Sequence, residues 1–302
     1  MVTRILVPLD GSELAEQAIP CAAMLAGGLP AEMVLFRAVS IEPDAQDALG
    51  RAGMKAGSLL LQLAMEAEDY LRGLVVELHA RGLTAQYAFR EGPAPEAILD
   101  YVSTSGIDYI VMATHGYSGF KRWTHGSVAE RVLQAAPVPL LLMRACEAGR
   151  AGAHEATLCR RILVPLDGSR LAEGILPVVS AVARALDSHL ILFQVPIAYV
   201  SSSMTGDWYL PIQGALETAE KDAQAYLDHV AGQLAEEGLA ATTALSVGSV
   251  AACIVEYAEA HDVDLIAMCT HGRTGLARWA LGSVADRVLR AGTKPLLLVR
   301  AS

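Results

Sequence analysis

The chain has 302 residues, of which 53% are hydrophobic and 19% charged, and this is the composition of a folded globular protein rather than a disordered one. No apolar stretch approaches the roughly 20 residues that span a bilayer, so we expect no membrane partner. The net charge of -10 and the pI of about 5.3 give a surface that repels phosphate backbones, so we expect no nucleic-acid partner either.

In chain order, the first half reads as strands that alternate with helices. The predicted strands are apolar or alternating runs, at Arg4–Leu9, Met33–Val39, Thr84–Phe89, Tyr109–Ala113 and Pro139–Met143. The predicted helices are rich in helix-forming residues, at Glu13–Ala26, Leu59–Ala80, Pro95–Ser103 and Val128–Ala135. The second half repeats this order from Arg161, through Leu190–Val195, Glu217–Glu236, Ala251–Ala260, Leu265–Met268 and Ala285–Leu297. The alternation predicts a parallel sheet with helices on both faces in each half.

The two halves are copies of one domain. Arg4–Ser12 and Arg161–Ser169 both read RILVPLDGS, and Thr114–Arg144 matches Thr270–Arg300 at 19 of 31 positions. Matched segments in the same order, far apart in the chain, indicate duplication of a whole domain.

Residues 147–158 have no counterpart in the repeat and carry small and polar residues, as a linker does. The sequence therefore predicts a first domain over 1–146, a linker over 147–158 and a second domain over 159–302. Each domain is predicted to be a doubly wound α/β unit with a five-stranded, mainly parallel sheet. In such sheets ligands bind beyond the carboxyl ends of the strands, where the winding reverses.

A Pro-Leu-Asp-Gly-Ser loop follows the first strand of each copy and places a carboxylate, Asp10 or Asp167, at the edge of the sheet. Two interpretations stay open. In the first, Asp-Gly-Ser serves only as a turn and helix N-cap signature. In the second, the carboxylate also accepts hydrogen bonds from an amine, an amide or a ribose hydroxyl of a ligand.

A glycine-rich loop follows the fourth strand of each copy. Nine residues separate Gly116 from Gly126-Ser127, and nine separate Gly272 from Gly282-Ser283. A loop that ends in Gly-Ser at a helix start supplies unblocked amide groups and a hydroxyl, which are the parts of a phosphate cradle. Gly-Ser is also an ordinary helix cap, so the loop alone is a moderate signal.

Other site signatures are absent from the sequence. It contains no G-x-x-x-x-G-K-[ST] loop, no G-x-G-x-x-G after a strand, and no G-x-S-x-G or H-E-x-x-H motif. The five cysteines are scattered without metal-ligand spacing, which suits buried packing residues in a reducing compartment. The N-terminus lacks the basic and apolar regions of a secretory signal, so we expect a cytoplasmic protein. No catalytic or metal-ligating residue is predicted.

The PLDGS opening, the G-x9-G-S loop and the closing PLLL strand resemble the universal stress protein family in its tandem form. The resemblance implies an adenine-nucleotide alpha-hydrolase-like fold that binds ATP or a related adenine nucleotide, with or without magnesium, in each half. It places Asp10 and Asp167 near the adenine or ribose, and Ala38 and Val195 against the adenine. The residues that it assigns to the ribose and phosphates are Gly116, Gly126, Ser127, Val128, Gly272, Gly282, Ser283 and Val284.

The sequence departs from the family pattern G-x2-G-x9-G-[ST] at its first glycine, which is Ala113 in one half and Cys269 in the other. The cysteine is the larger intrusion, so we expect the first half to bind at least as tightly as the second. His115 and His271 are interpreted as structuring the loop, because no partner for catalysis is identifiable.

Three hypotheses from different classes follow. The favoured one is a stress-response protein that binds adenine nucleotide and acts by binding and signalling rather than catalysis. The others are a slow ATPase or self-phosphorylating protein, and a nucleotide-free interaction scaffold. The resemblance also implies that the two halves pack like the protomers of a dimer, with the final strands facing each other, and it leaves a homodimer open.

Overall fold

The computed structural model describes residues 2–41, 56–115, 128–145, 159–197, 212–270 and 281–300. The chain divides into two compact units, Met1–Thr157 and Leu158–Ser302, which agree with the predicted duplication. Within the described residues, no helix combines the length and the apolar character needed to cross a bilayer.

The first unit is an α/β layer structure. Its strands are β1 Thr3–Pro8, β2 Ala31–Val39, β3 Ala85–Glu91, β4 Tyr109–His115 and β5 Leu140–Ala145. Its described helices are α1 Glu13–Glu16, α2 Ala18–Gly28, α3 Ala56–Ala80, α4 Ala94–Thr104 and α5 Val128–Ala135. The strands lie in the order β3-β2-β1-β4-β5, and every described pair is parallel. The predicted doubly wound parallel sheet is confirmed.

The central strands are continuous apolar runs because helices cover both of their faces. Ile5, Leu6 and Val7 of β1 are fully buried. On β2 the side chains alternate between the two faces, so that Phe36 contacts Tyr101 of α4 while Arg37 contacts Tyr70 of α3. This alternation defines the two layers of helices.

The prediction of one helix over Glu13–Ala26 is wrong. The structure has two helices there, because α1 ends at Glu16 and α2 begins at Ala18. Pro20 explains the break: it has no N–H to donate to the carbonyl of Glu16, four residues earlier, and its ring crowds that carbonyl. Pro177 has the same place in the second unit, where the corresponding helices are likewise separate.

The second unit repeats the architecture. Its strands are β6 Arg161–Pro165, β7 His189–Gln194, β8 Ala241–Leu245, β9 Leu265–Cys269 and β10 Leu296–Val299. Its described helices are α6 Arg170–Glu173, α7 Leu176–Leu186, α8 Ile212–Glu236, α9 Val250–Ala260 and α10 Ser283–Ala291. The strands lie in the order β10-β9-β6-β7-β8, again with parallel pairing.

The strand order places a crevice at the same point of each unit. The chain winds outward from β1 through β2 to β3 and then returns to the other side of β1 with β4, so the winding reverses between β1 and β4. In the second unit it reverses between β6 and β9. Loops at the carboxyl ends of these four strands therefore border the crevices in which doubly wound proteins bind ligands.

Candidate functional site

The Asp-Gly-Ser loop of the first unit has a defined hydrogen-bond geometry. The backbone N–H and the hydroxyl of Ser12 both donate to Oδ1 of Asp10, at 2.9 Å and 2.6 Å. The Ser12 hydroxyl oxygen in turn accepts from the N–H of Ala15 at 3.2 Å and caps α1. Ser12 is thus the N-cap residue, and Asp10 orients it. Within the described part of the chain only Oδ1 of Asp10 is engaged, which leaves Oδ2 for a ligand donor.

The second unit reproduces this geometry. The backbone N–H and the hydroxyl of Ser169 donate to Oδ1 of Asp167 at 2.9 Å and 2.6 Å. The hydroxyl oxygen of Ser169 accepts from the N–H of Ala172 at 3.2 Å. Gly11 and Gly168 have φ of +88° and +78°, which side-chain-bearing residues rarely adopt. The glycine between the carboxylate and the cap is therefore a backbone requirement of the loop in both units.

In the first unit a cation lies beside this loop. The guanidinium of Arg37, on β2, is so close to Gly11 that a Cβ added there would lie 3.2 Å from Nη1. The guanidinium carbon stands 5.5 Å from the ring centroid of Tyr70, whose hydroxyl donates to Glu16 at 2.8 Å. Partial burial by itself raises the pKa of Asp10, but the hydrogen bonds from Ser12 and the Arg37 charge outweigh burial and lower that pKa below its ordinary value.

The second unit has a neutral amide in place of this cation. Gln194 follows Phe193 at the end of β7, as Arg37 follows Phe36 on β2, and the hydroxyl of Tyr226 donates to Glu173 at 3.0 Å as Tyr70 does to Glu16. The Gln194 side chain is only 9% exposed. Within the described residues its Oε1 is buried without a hydrogen-bond partner.

The end of the second glycine-rich loop is described, and it forms a helix start. The N–H of Gly282 donates to the carbonyl of Thr270 at 2.7 Å, which brings the two ends of the loop together. Gly282 is the N-cap residue of α10 and has no side chain with which to cap it. The first-turn amides, including those of Ser283 and Val284, have no acceptor within the helix and can meet an anion.

The remaining loop residues predicted for the site lie outside the described residues, namely Gly116, Gly126, Ser127 and Gly272. His115 ends β4, and His271 also lies outside the described residues. Val128, at the start of α5, is 37% exposed. Ala38 is half-buried on β2, and Val195 is buried just beyond β7.

The sulfur of Cys269 lies beside Gly174, at the junction of α6 and α7. A Cβ added to Gly174 would lie 3.4 Å from the sulfur, and Gly174 stands where the first unit has Gln17. Burial, reinforced by the Asp167 carboxylate, raises the pKa of the Cys269 thiol to about 12, so the sulfur stays protonated. The expected ranking of the two halves stays a prediction.

Motifs in the sequence do not single out Arg37 and Gln194, yet one signal is present. When the two RILVPLDGS segments are aligned, Phe36 matches Phe193 and the next residue is charged in one copy and neutral in the other. A polar residue at the end of an apolar strand, different between copies, marks a place where the two sites can diverge. In the described part of the chain, no group of three or more His, Cys, Asp or Glu residues could hold a metal ion.

Comparisons with known proteins agree with this architecture. The model of the universal stress protein family matches residues 1–144 and again residues 159–300. A universal stress protein of Methanocaldococcus jannaschii is 32% identical over 145 residues, which are 47% of this chain and 83% of the relative.

Longer matches cover both halves. A universal stress protein of Synechocystis sp. is 24% identical over 314 residues, which cover 98% of this chain and 99% of the relative. The crystal structure of a universal stress protein from Archaeoglobus fulgidus shares the fold at 19% identity, with a TM-score of 0.69 over 99% of this chain and 96% of that chain. With two successive family matches and a relative aligned along nearly its whole length, this chain belongs to the universal stress protein family, in the tandem form.

Proposed function

We propose that each half binds ATP or a related adenine nucleotide, with or without magnesium, in the crevice at its switch point. The observation that carries the proposal is the start of α10 at the carboxyl edge of the sheet, where, within the described residues, the glycine N-cap gives the first-turn amides no side-chain cap. Such amides suit phosphate oxygens, because their N–H groups and the helix dipole both favour negative charge. A glycine at that point also lets a phosphate approach the backbone closely.

The Asp-Gly-Ser loops supply the other end of the proposed site. The carboxylates of Asp10 and Asp167 offer acceptors for the hydroxyl or amine donors of a nucleoside. Pro8 pairs with Phe36 and Pro165 with Phe193, and the same pairing continued by two residues would bring Ala38 and Val195 level with these carboxylates on the neighbouring strand. Apolar side chains at that level suit the face of a base.

The phosphates would be held by the two glycine-rich loops and by the helix starts that follow them. The residues proposed for this role are Gly116, Gly126, Ser127, Val128, Gly272, Gly282, Ser283 and Val284. The chain offers backbone amides and one serine hydroxyl per half, so binding is the activity that its groups support best.

At the level of the cell, we propose a cytoplasmic stress-response protein that acts by binding and signalling. The bound nucleotide would set the conformation or the partners of the protein. The tandem repeat suggests that the two halves take the parts of the two protomers of a dimer. The two alternatives, a slow ATPase and a nucleotide-free scaffold, make different predictions for nucleotide binding and turnover.

Titration calorimetry of the full chain with ATP tests the proposal. We expect binding to the wild type and a large loss of affinity in the double variant Gly126→Val, Gly282→Val, because a valine side chain blocks the close approach of a phosphate to the backbone. Gly232→Val is the matched control, since a Cβ at Gly232 of α8 meets no atom within 4 Å. Absence of ATP binding to the wild type, or unchanged affinity in the double variant, would favour the scaffold.

A further inference from the structure

Arg37 and Gln194 occupy the same position in the two units, but arginine is a cation that only donates hydrogen bonds, whereas the neutral glutamine amide also has an acceptor oxygen. Each follows the phenylalanine that pairs with the last residue of the first strand, Phe36 with Pro8 and Phe193 with Pro165. The Arg37 side chain lies at the carboxyl edge of the sheet, beside the Asp-Gly-Ser loop, and the register gives Gln194 the equivalent place on β7. A difference here changes the candidate site directly.

In the first unit the position holds a cation beside the loop. The Arg37 guanidinium lies against Gly11 and over the ring of Tyr70, and its charge acts on the Asp10 carboxylate. A guanidinium only donates hydrogen bonds and has no acceptor. A ligand in the first half therefore meets a cation at this point.

In the second unit the position ends in an amide with an unused acceptor. Gln194 is 9% exposed, and its Oε1 is a buried oxygen without a partner among the described residues. Buried side-chain acceptors in folded proteins nearly always have a partner, in the protein, an ordered water or a ligand.

We infer that Gln194 determines the specificity of the second half, with its Oε1 accepting a hydrogen bond from an N–H or O–H donor of the bound nucleoside. This inference rests on the proposed nucleotide binding and names what the second site recognises. The donor is either the exocyclic amine of the base or a ribose hydroxyl, and both fit a lone amide acceptor. The first half has Arg37 there and lacks this recognition, so one chain carries two sites of unequal specificity.

The test uses the full chain with Gly126→Val, which confines binding to the second half. ATP is compared by calorimetry with inosine triphosphate, which has an oxo group instead of the amine, and with the 2′-deoxy and 3′-deoxy forms of ATP. We expect one of these analogues, the one that lacks the donor, to bind about tenfold more weakly than ATP. The analogue that loses affinity distinguishes the base from the ribose as the source of the donor.

Two substitutions then assign that loss to Gln194. Gln194→Met keeps the length of the side chain but removes the acceptor. We therefore expect ATP and the analogue that lost affinity to bind this variant with equal affinity. Gln194→Glu keeps an acceptor and should keep the difference in affinity between ATP and that analogue. The matched control is Arg37→Met in a Gly282→Val background, where the ratio of ATP to analogue affinity should not change. Thermal unfolding of each variant shows whether it is folded.

The outcomes separate this inference from the proposed function. If Gln194→Met loses the same affinity for all ligands, Gln194 has a packing role and the inference is overturned. The inference is also overturned if Gln194→Met leaves the ratio of ATP to analogue affinity unchanged, as expected when a buried water satisfies Oε1. If only the first half binds nucleotide, the inference about Gln194 is overturned, but the proposal that the protein binds nucleotide is kept. No binding by the wild type in either half overturns the proposed function, and this inference falls with it.

Discussion

Ser12 and Ser169 each perform two tasks with one hydroxyl group. The hydroxyl donates to the preceding aspartate and accepts from an amide of the following helix, so the carboxylate and the helix start are held in fixed relation. The sequence left open whether this loop is a cap or a ligand contact. The hydrogen bonds show the cap, and the ligand contact remains part of the proposal.

Replacing Ser12 with alanine should reduce the free energy of unfolding of the first half by about 1 kcal/mol, the usual cost of losing an N-cap side chain. The same change should raise the pKa of Asp10 toward its ordinary value of 3.8, because the side-chain hydrogen bond that lowers it is lost. Urea denaturation measures the first effect, and NMR titration of the carboxyl measures the second. Ser169→Ala, in the other half, should leave the Asp10 pKa unchanged.

The sign of the pH dependence follows from the lowered pKa of Asp10. A carboxyl with a folded-state pKa below its unfolded value stabilises the fold at pH values above the unfolded value, and this contribution is lost as the pH falls through the folded-state pKa. The stability difference between the wild type and Ser12→Ala should therefore narrow below about pH 4. A difference that widens in acid would contradict the assigned hydrogen bonds.

At the scale of elements, α3 shows how one helix serves both the core and the surface. Leu71 is completely buried, whereas Leu61 on the same helix is 64% exposed. Leu71→Ala should cost about 2–5 kcal/mol in the unfolding of the first half, through lost burial and the cavity left behind. Leu61→Ala is the matched control and should change stability by less than about 0.5 kcal/mol. Equal effects in urea denaturation would contradict the placement of α3.

Element order was predictable because apolar strands and amphipathic helices leave distinct periodicities, as at Tyr109–His115 and Ala56–Ala80. The break between α1 and α2 was also encoded, in Pro20, but helix-forming neighbours hid it. The contrast between Arg37 and Gln194 could not be interpreted from sequence. Its meaning depends on contacts with Gly11 and Tyr70 that only the folded sheet creates.

At the scale of the whole molecule, we expect a protein that holds ATP rather than turning it over. Efficient phosphoryl transfer combines a metal, a cationic clamp and an oriented nucleophile, and gives roughly 1–100 s⁻¹ in typical kinases. The sequence offers backbone amides, one serine and at most one repeated arginine per half. Phosphate release with ATP and magnesium should therefore be far below that range. Robust turnover that is lost in Ser127→Ala and Ser283→Ala would make the protein an enzyme.

The central claim is that both halves of one chain bind adenine nucleotide, and the mass of the intact protein in native mass spectrometry tests it most directly. With ATP in excess, we expect complexes of one chain with one and then two nucleotides. Gly126→Val and Gly282→Val should each reduce the maximum to one, because each variant retains one intact site. A wild-type chain that acquires no nucleotide mass under these conditions would contradict the account.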